Sequence, residues 1–172
     1  MKQFLVKTIQ IILPVIIMAI ITEPLLRHIP NDYTYKKEYL DKNARKIETL
    51  ILGSSFTYFG LDPKYFTTNT FNAAQISQTL DISCKIFEKY KPYYKTLQTV
   101  IIPISYPTLF TQLKTSAESW RIKNYIIYYQ IKIAAPITDQ MEITSNTPQY
   151  NIKRIYTYYI NRKTDITCTQ LG

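Results

Sequence analysis

The chain has 172 residues, 46% hydrophobic and 19% charged, which excludes a disordered polymer and allows one domain with a real core. Its formal charge of +9 favours acidic partners such as anionic lipid or an acidic glycan. The Lys and Arg residues are spread from Lys36 to Lys163 without a compact cluster, so no nucleic acid partner is expected.

The first thirty residues carry Lys2 and Lys7, then an almost wholly apolar run that reaches spanning length over residues 4–26. No small-residue cleavage site follows it, and Pro14 is tolerable in a membrane helix. The run is read as an uncleaved single-pass anchor that contacts membrane lipid, ahead of a cleaved signal or a buried core helix. With so short an N-terminal tail, the rest of the chain is expected on the extracytoplasmic side. Residues 31–46 are polar and charged and read as a linker, or as an amphipathic approach to a domain over 47–172.

Within that domain an alternation begins. Residues 47–52 read as a strand with a buried Leu50–Ile51–Leu52 run, and Asp62 with Pro63 signals a helix start. Residues 70–74 read as a second strand. Residues 77–92 read as a helix capped by Ser77 or Thr79, with Leu80, Cys84 and Phe87 on one face. Residues 99–105 read as a third strand. This order predicts an α/β fold built on parallel βαβ units. Beyond Pro107 the pattern blurs, up to a basic, tyrosine-rich helix over 149–162. The two cysteines, Cys84 and Cys168, make neither a disulfide framework nor a metal site and read as free thiols. The scarcity of glycine argues against a phosphate-cradling loop, and no cofactor is expected.

In open parallel sheets, sites form at the carboxyl ends of strands. Three such ends are predicted here, at Gly53–Ser55, Ala74–Ser77 and Ile104–Tyr106, and each carries hydroxyl or amide side chains. Two of the chain's three glycines, Gly53 and Gly60, flank the first. A serine there suits two uses. It can satisfy backbone groups of a turn. Given a base and oxyanion donors, it can also act as a nucleophile.

The stretch ILGSSFTYFGLDP resembles the first block of the SGNH (GDSL-type) hydrolases, in which a buried first strand runs into Gly-Asp-Ser or Gly-Ser-Ser. FNAAQISQTL and VIIPISYPTLF fall where the second and third blocks would stand, so the resemblance covers about residues 47–110. It implies a three-layer, flavodoxin-like parallel sheet with helices, and Ser55 as nucleophile. Ser55, Ser77 and Ser105 are then the oxyanion-donor candidates, with Gly53, Ser54 and Asn72 as structural neighbours. The two-serine variant is similar to membrane-anchored branches that hydrolyse or transfer acyl esters on cell-envelope glycans.

The departures are specific. Ile76 or Ser77 stands where the family has a donor glycine, and Ser105 or Tyr106 where it has an asparagine. The family's Asp-x-x-His is missing, and the one histidine, His28, adjoins the anchor. The expectation is a chain that stops before that block and is impaired as an enzyme. The alternative is a non-enzymatic anchored module that holds an acidic glycan or partner protein through Tyr150, Lys153, Arg154 and Tyr158.

Overall fold

A computed structural model describes the backbone of residues 1–172 and every side chain but those of Lys2, Leu5 and Pro107. Helix α1, Lys2–Arg27, absorbs both Pro14 and Pro24. Its stretch Val6–Arg27 is long and apolar enough to cross a membrane. Ile9, Ile11, Val15, Met18 and Ile20 project away from the protein, so α1 is not a core helix of this fold. Among its described residues burial begins at Leu26 in the last turn, followed by Ile29 just beyond the helix.

The polar stretch that follows is a helix. Asn31 caps it, its Oδ1 accepting from Tyr33 N (3.0 Å) and Thr34 N (3.1 Å), which satisfies donors that a helix start leaves open. Helix α2, Asp32–Asn43, buries Tyr33, Lys36 and Leu40. These stand three and four residues apart and so share one face. Its polar composition hides this face, because one of its three buried residues is a lysine.

Three short strands form the sheet: β1 Thr49–Ile51, β2 Thr70–Asn72 and β3 Thr99–Ile101. Their order is β2-β1-β3, and both pairings are parallel. The strands are shorter than the apolar runs suggest, but they lie inside the predicted segments. Strand β1 is wholly buried, whereas β3 is an edge with Val100 in view. The outer side of β2 meets the chain's last residues, where Asn72 N donates to Leu171 O at 2.8 Å.

Helix α3, Ser55–Gly60, follows β1, and a 3-10 turn at Pro63–Tyr65 follows it, capped by Asp62 as the sequence predicts. Helix α4, Leu80–Tyr90, links β2 to β3. Its buried face is Ile82, Ser83, Ile86 and Tyr90. Cys84 is exposed, so the expected Leu80–Cys84–Phe87 face is rotated. The buried face follows the isoleucines spaced by four, Ile82 and Ile86. Helix α5, Tyr106–Phe110, leaves β3 and leads to α6, Ile122–Ile127.

Tyrosines fill much of the core. Tyr39 stacks on Phe71 with centroids 4.0 Å apart, and Tyr33 meets Tyr125 edge-on at 5.3 Å. The edge-on contact is a favoured aromatic geometry. Helices α7, Glu142–Ser145, and α8, Pro148–Ile155, are the last two α-helices, α8 running on into a π turn at Tyr156–Ile160, and the residues after it reach β2.

Candidate functional site

The parallel register pairs Ile51 with both Asn72 and Ile101. All three strands therefore end level, and the loops that follow meet at one edge around β1. Two bonds stitch them together: Gln75 N donates to Gly53 O (3.1 Å) and Leu52 N to Ile101 O (2.9 Å). Gly53 has φ +122°, and a Cβ on it would lie 2.5 Å from Pro103 Cδ. Only glycine turns the chain so tightly against the third loop.

Ser54 is extended and precedes α3, which Ser55 begins. Neither serine closes the turn. Thr57 does so, its Oγ1 donating to Leu52 O (3.2 Å) or Ser54 O (3.0 Å). Among the described residues the hydroxyls of Ser54 and Ser55 have no protein partner, although both residues are half-buried. The simplest structural use of these serines, as turn-satisfying groups, is thus taken by a threonine.

The other sequence candidates divide. Asn72 is fully buried and committed: Nδ2 donates to Thr57 O and Leu61 O (2.9 Å each), and Oδ1 accepts from Ala74 N (3.0 Å). It ties Thr57 within α3 and Leu61 just after it to the end of β2. Ser77 sits in the second loop with φ +59°, half-buried. Ser105 is exposed and turned to its own helix start, sharing a 2.7 Å hydrogen bond with Thr108 Oγ1, to which its N–H is also directed. His28 is elsewhere, exposed at the end of α1 in an apolar groove with Ile20, Ile21, Pro24, Leu25 and Tyr159.

Two residues that sequence reasoning passed over stand at this edge. Gln75 is 2% exposed and its Nε2 has no partner, a buried amide donor in the loop bonded to Gly53. Lys36 reaches from α2 with its Nζ on Ala74 O (2.7 Å) and 4.3 Å from the centre of the Tyr58 ring. Burial pushes its ammonium down to about 8, against a modest upward pull from Cys168 and Asp32. Such a group can exchange protons near neutral pH. Its hydrogen bond goes to a carbonyl, however, and no serine hydroxyl is among its partners. Neither residue has a signal in sequence: a glutamine in a loop and a lysine in a polar helix look like surface.

Beside Lys36, Asp32 accepts from Tyr58 OH (2.8 Å), Thr167 N and Oγ1 (2.6 Å each) and Cys168 N (3.1 Å). Burial acts to raise its carboxyl, but these donors hold it below the usual carboxylate value. Burial and Asp32 together push the Cys168 thiol up to about 12, so Cys168 is held as an inert thiol. A cleft of about 210 Å³ lies here between α3 and the chain's last residues, with Tyr58, Phe59 and Thr167 in its wall, and Ser55 is outside it.

The residues of the alternative module part company. Arg154 is buried, bound to Glu142 (2.9 Å) and Asp165 (3.0 Å), whereas Tyr150 and Lys153 are exposed and Tyr158 is half-buried. They do not form one free basic face. No family model, curated protein or solved structure matches the chain.

Proposed function

We propose that this chain is a membrane-anchored, SGNH-hydrolase-like protein of the cell envelope, with α1 as its single span and the sheet domain on the extracytoplasmic side. In this reading Ser55 occupies the nucleophile's place for ester chemistry on acyl groups of a glycan, within a flavodoxin-like layered fold. The observation that carries it is the uncommitted pair of serine hydroxyls at the end of the central strand, where Thr57 alone closes the turn. The order β2-β1-β3 and the positive φ of Gly53 support it. So does the position of the turn. Tyr58, one turn after Ser55, donates to Asp32 at the start of α2, the helix that follows α1 in the chain.

A serine needs a base. His28 faces the apolar groove and Lys36 faces Ala74, so the chain alone is proposed to lack esterase turnover. The test is fluorophosphonate labelling of the detergent-solubilised chain with and without added imidazole. The expected result is no adduct without imidazole and slow labelling at Ser55 with it, lost in Ser55→Ala. No Ser55 adduct under either condition would overturn the reading.

A further inference from the structure

Helix α8 and its π turn present an apolar face that no part of the fold covers. Ile152, Tyr156 and Ile160 are 67%, 56% and 64% exposed. They are spaced by four, so they line one side of the helix. Apolar side chains scattered singly on a surface need no explanation, but a contiguous row does.

What lies next to that row identifies its occupant. Tyr159, its neighbour in the π turn, donates from its hydroxyl to Leu25 O of α1 (3.1 Å) and shares the groove with Ile20, Ile21 and Pro24. Glu23 of α1 accepts from Glu142 N (3.0 Å) and Ile143 N (2.9 Å) at the start of α7. The apolar stretch Val6–Arg27 has 22 residues, about 33 Å of helix, against a hydrocarbon core of about 30 Å. Residues 23–28 then lie where hydrocarbon gives way to headgroups, and the bond from Tyr159 to Leu25 sets the C-terminal end of the α8 row beside that level. Lys153, Arg162 and Lys163 are exposed along the same segment, which has no acidic residue between Pro148 and Lys163. Apolar and tyrosine side chains flanked by unpaired cations are the make-up of a helix lying in an anionic interface.

We propose that Ile152, Tyr156 and Ile160 rest in the headgroup region of the bilayer that α1 spans, with Lys153, Arg162 and Lys163 on anionic lipid. The helix makes a second contact with the membrane and fixes the orientation of the sheet above it. This rests on the reading of α1 as a span, and the test separates the two.

The full chain carrying Trp120→Phe is reconstituted into phosphatidylglycerol-containing vesicles with lipid brominated near the headgroup end of the acyl chain or near its middle. Single tryptophans are placed at Ile12, Ile160 and Tyr93. Tyr93 lies beside Leu40 and Asp41, at the far end of α2 from the anchor. Ile160→Trp is expected to lose roughly half its emission to the shallow bromolipid, Ile12→Trp to be quenched by the deep one, and Tyr93→Trp to be unaffected. Adding Lys153→Glu with Lys163→Glu should reduce the quenching at position 160 by about half and leave position 12 unchanged. Quenching at 12 but not at 160 overturns the docking and keeps the span. Quenching at neither overturns both. Emission at 160 that ignores bromolipid but shifts to the blue with protein concentration also overturns the proposal, and assigns the face to a second copy of the chain.

Discussion

Two buried charges hold the two halves of this molecule, and they are solved in opposite ways. Lys36, at the serine edge, has one carbonyl and one aromatic ring for company and no carboxylate bound to it. Glu142, under the end of α1, is bound by Lys123 (3.1 Å), Arg154 (2.9 Å), Tyr128 OH (2.5 Å) and Asn146 Nδ2 (2.8 Å). Burial raises both costs alike, but only Glu142 is compensated. Its carboxyl ends below the ordinary value, because Lys123 and Arg154 outweigh desolvation. Lys36 gives way instead and its ammonium weakens. Lys123 also ends below its ordinary value, since its own burial, with Arg154's repulsion added, exceeds the pull of Glu142. A buried group thus keeps its charge firmly only where its partners together outweigh desolvation; those of Glu142 do, while those of Lys36 and Lys123 do not.

The largest effect is expected where compensation is removed. Glu142→Gln keeps the shape but strands Lys123 in a dry site beside Arg154, which keeps Asp165 as its carboxylate. We expect a loss of about 3–5 kcal/mol of stability, measured by denaturant titration in detergent micelles. Adding Lys123→Met should recover part of it, because one stranded cation then goes. If the single variant is as stable as wild type, the Glu142 cluster is not an anchor of the C-terminal half and the contrast with Lys36 collapses.

Lys36→Met probes the other solution through pH. The folded state holds the Lys36 proton less tightly than the unfolded chain, with its midpoint moved from 10.5 to about 8. Between those values the unfolded state binds more protons, so this group makes stability rise with pH. From pH 8 to 10 the wild type should gain about 2 kcal/mol relative to Lys36→Met. The comparison must be relative. Tyr90, Tyr94 and Tyr128, none of which owes its shift to Lys36, titrate above their ordinary values, so they lower stability as pH passes the unfolded values, in both proteins. Parallel curves for the two proteins would mean that Lys36 is solvated.

The link between α1 and the Glu142 cluster is a smaller target. Glu23 accepts from two backbone N–H groups of α7 and pairs with Arg27 at 2.6 Å. Glu23→Gln retains one acceptor oxygen and loses the charge, so a cost of about 1 kcal/mol is expected, read by the same titration. A cost as large as that of Glu142→Gln would show that the two sites act as one network.

What the sequence disclosed follows the same division. The three strands, the cap at Asp62 and the glycine turn at Gly53 are local signals, and each lies where hydrophobic runs and turn chemistry place it. The burial of α2 was hidden because Lys36 counts as polar until its partners are known. The Glu142 cluster was hidden because Lys123, Glu142 and Arg154 are separated by 12 to 19 positions, and no periodicity joins them. For the serines, composition and spacing gave the edge of the sheet. That Thr57 closes the turn in place of Ser54 and Ser55 depends on which hydroxyl reaches Leu52 O and Ser54 O, which spacing does not encode.

The smallest effect belongs to Lys64, and it tests whether burial or distance sets the scale. Lys64 Nζ lies 2.7 Å from Asp62 Oδ2, closer than Lys123 is to Glu142 at 3.1 Å. Yet the Lys64 side chain is 61% exposed while Lys123 is 4%. Water screens the first pair and pays most of what its partner would lose. Lys64→Ala is expected to leave the unfolding midpoint unchanged, because Asp62 Oδ1 still accepts the N–H of residue 64 and keeps its cap. A clear destabilisation would mean that proximity alone makes a strong pair in this protein, and the ranking of Glu142 over Lys64 would have to be abandoned.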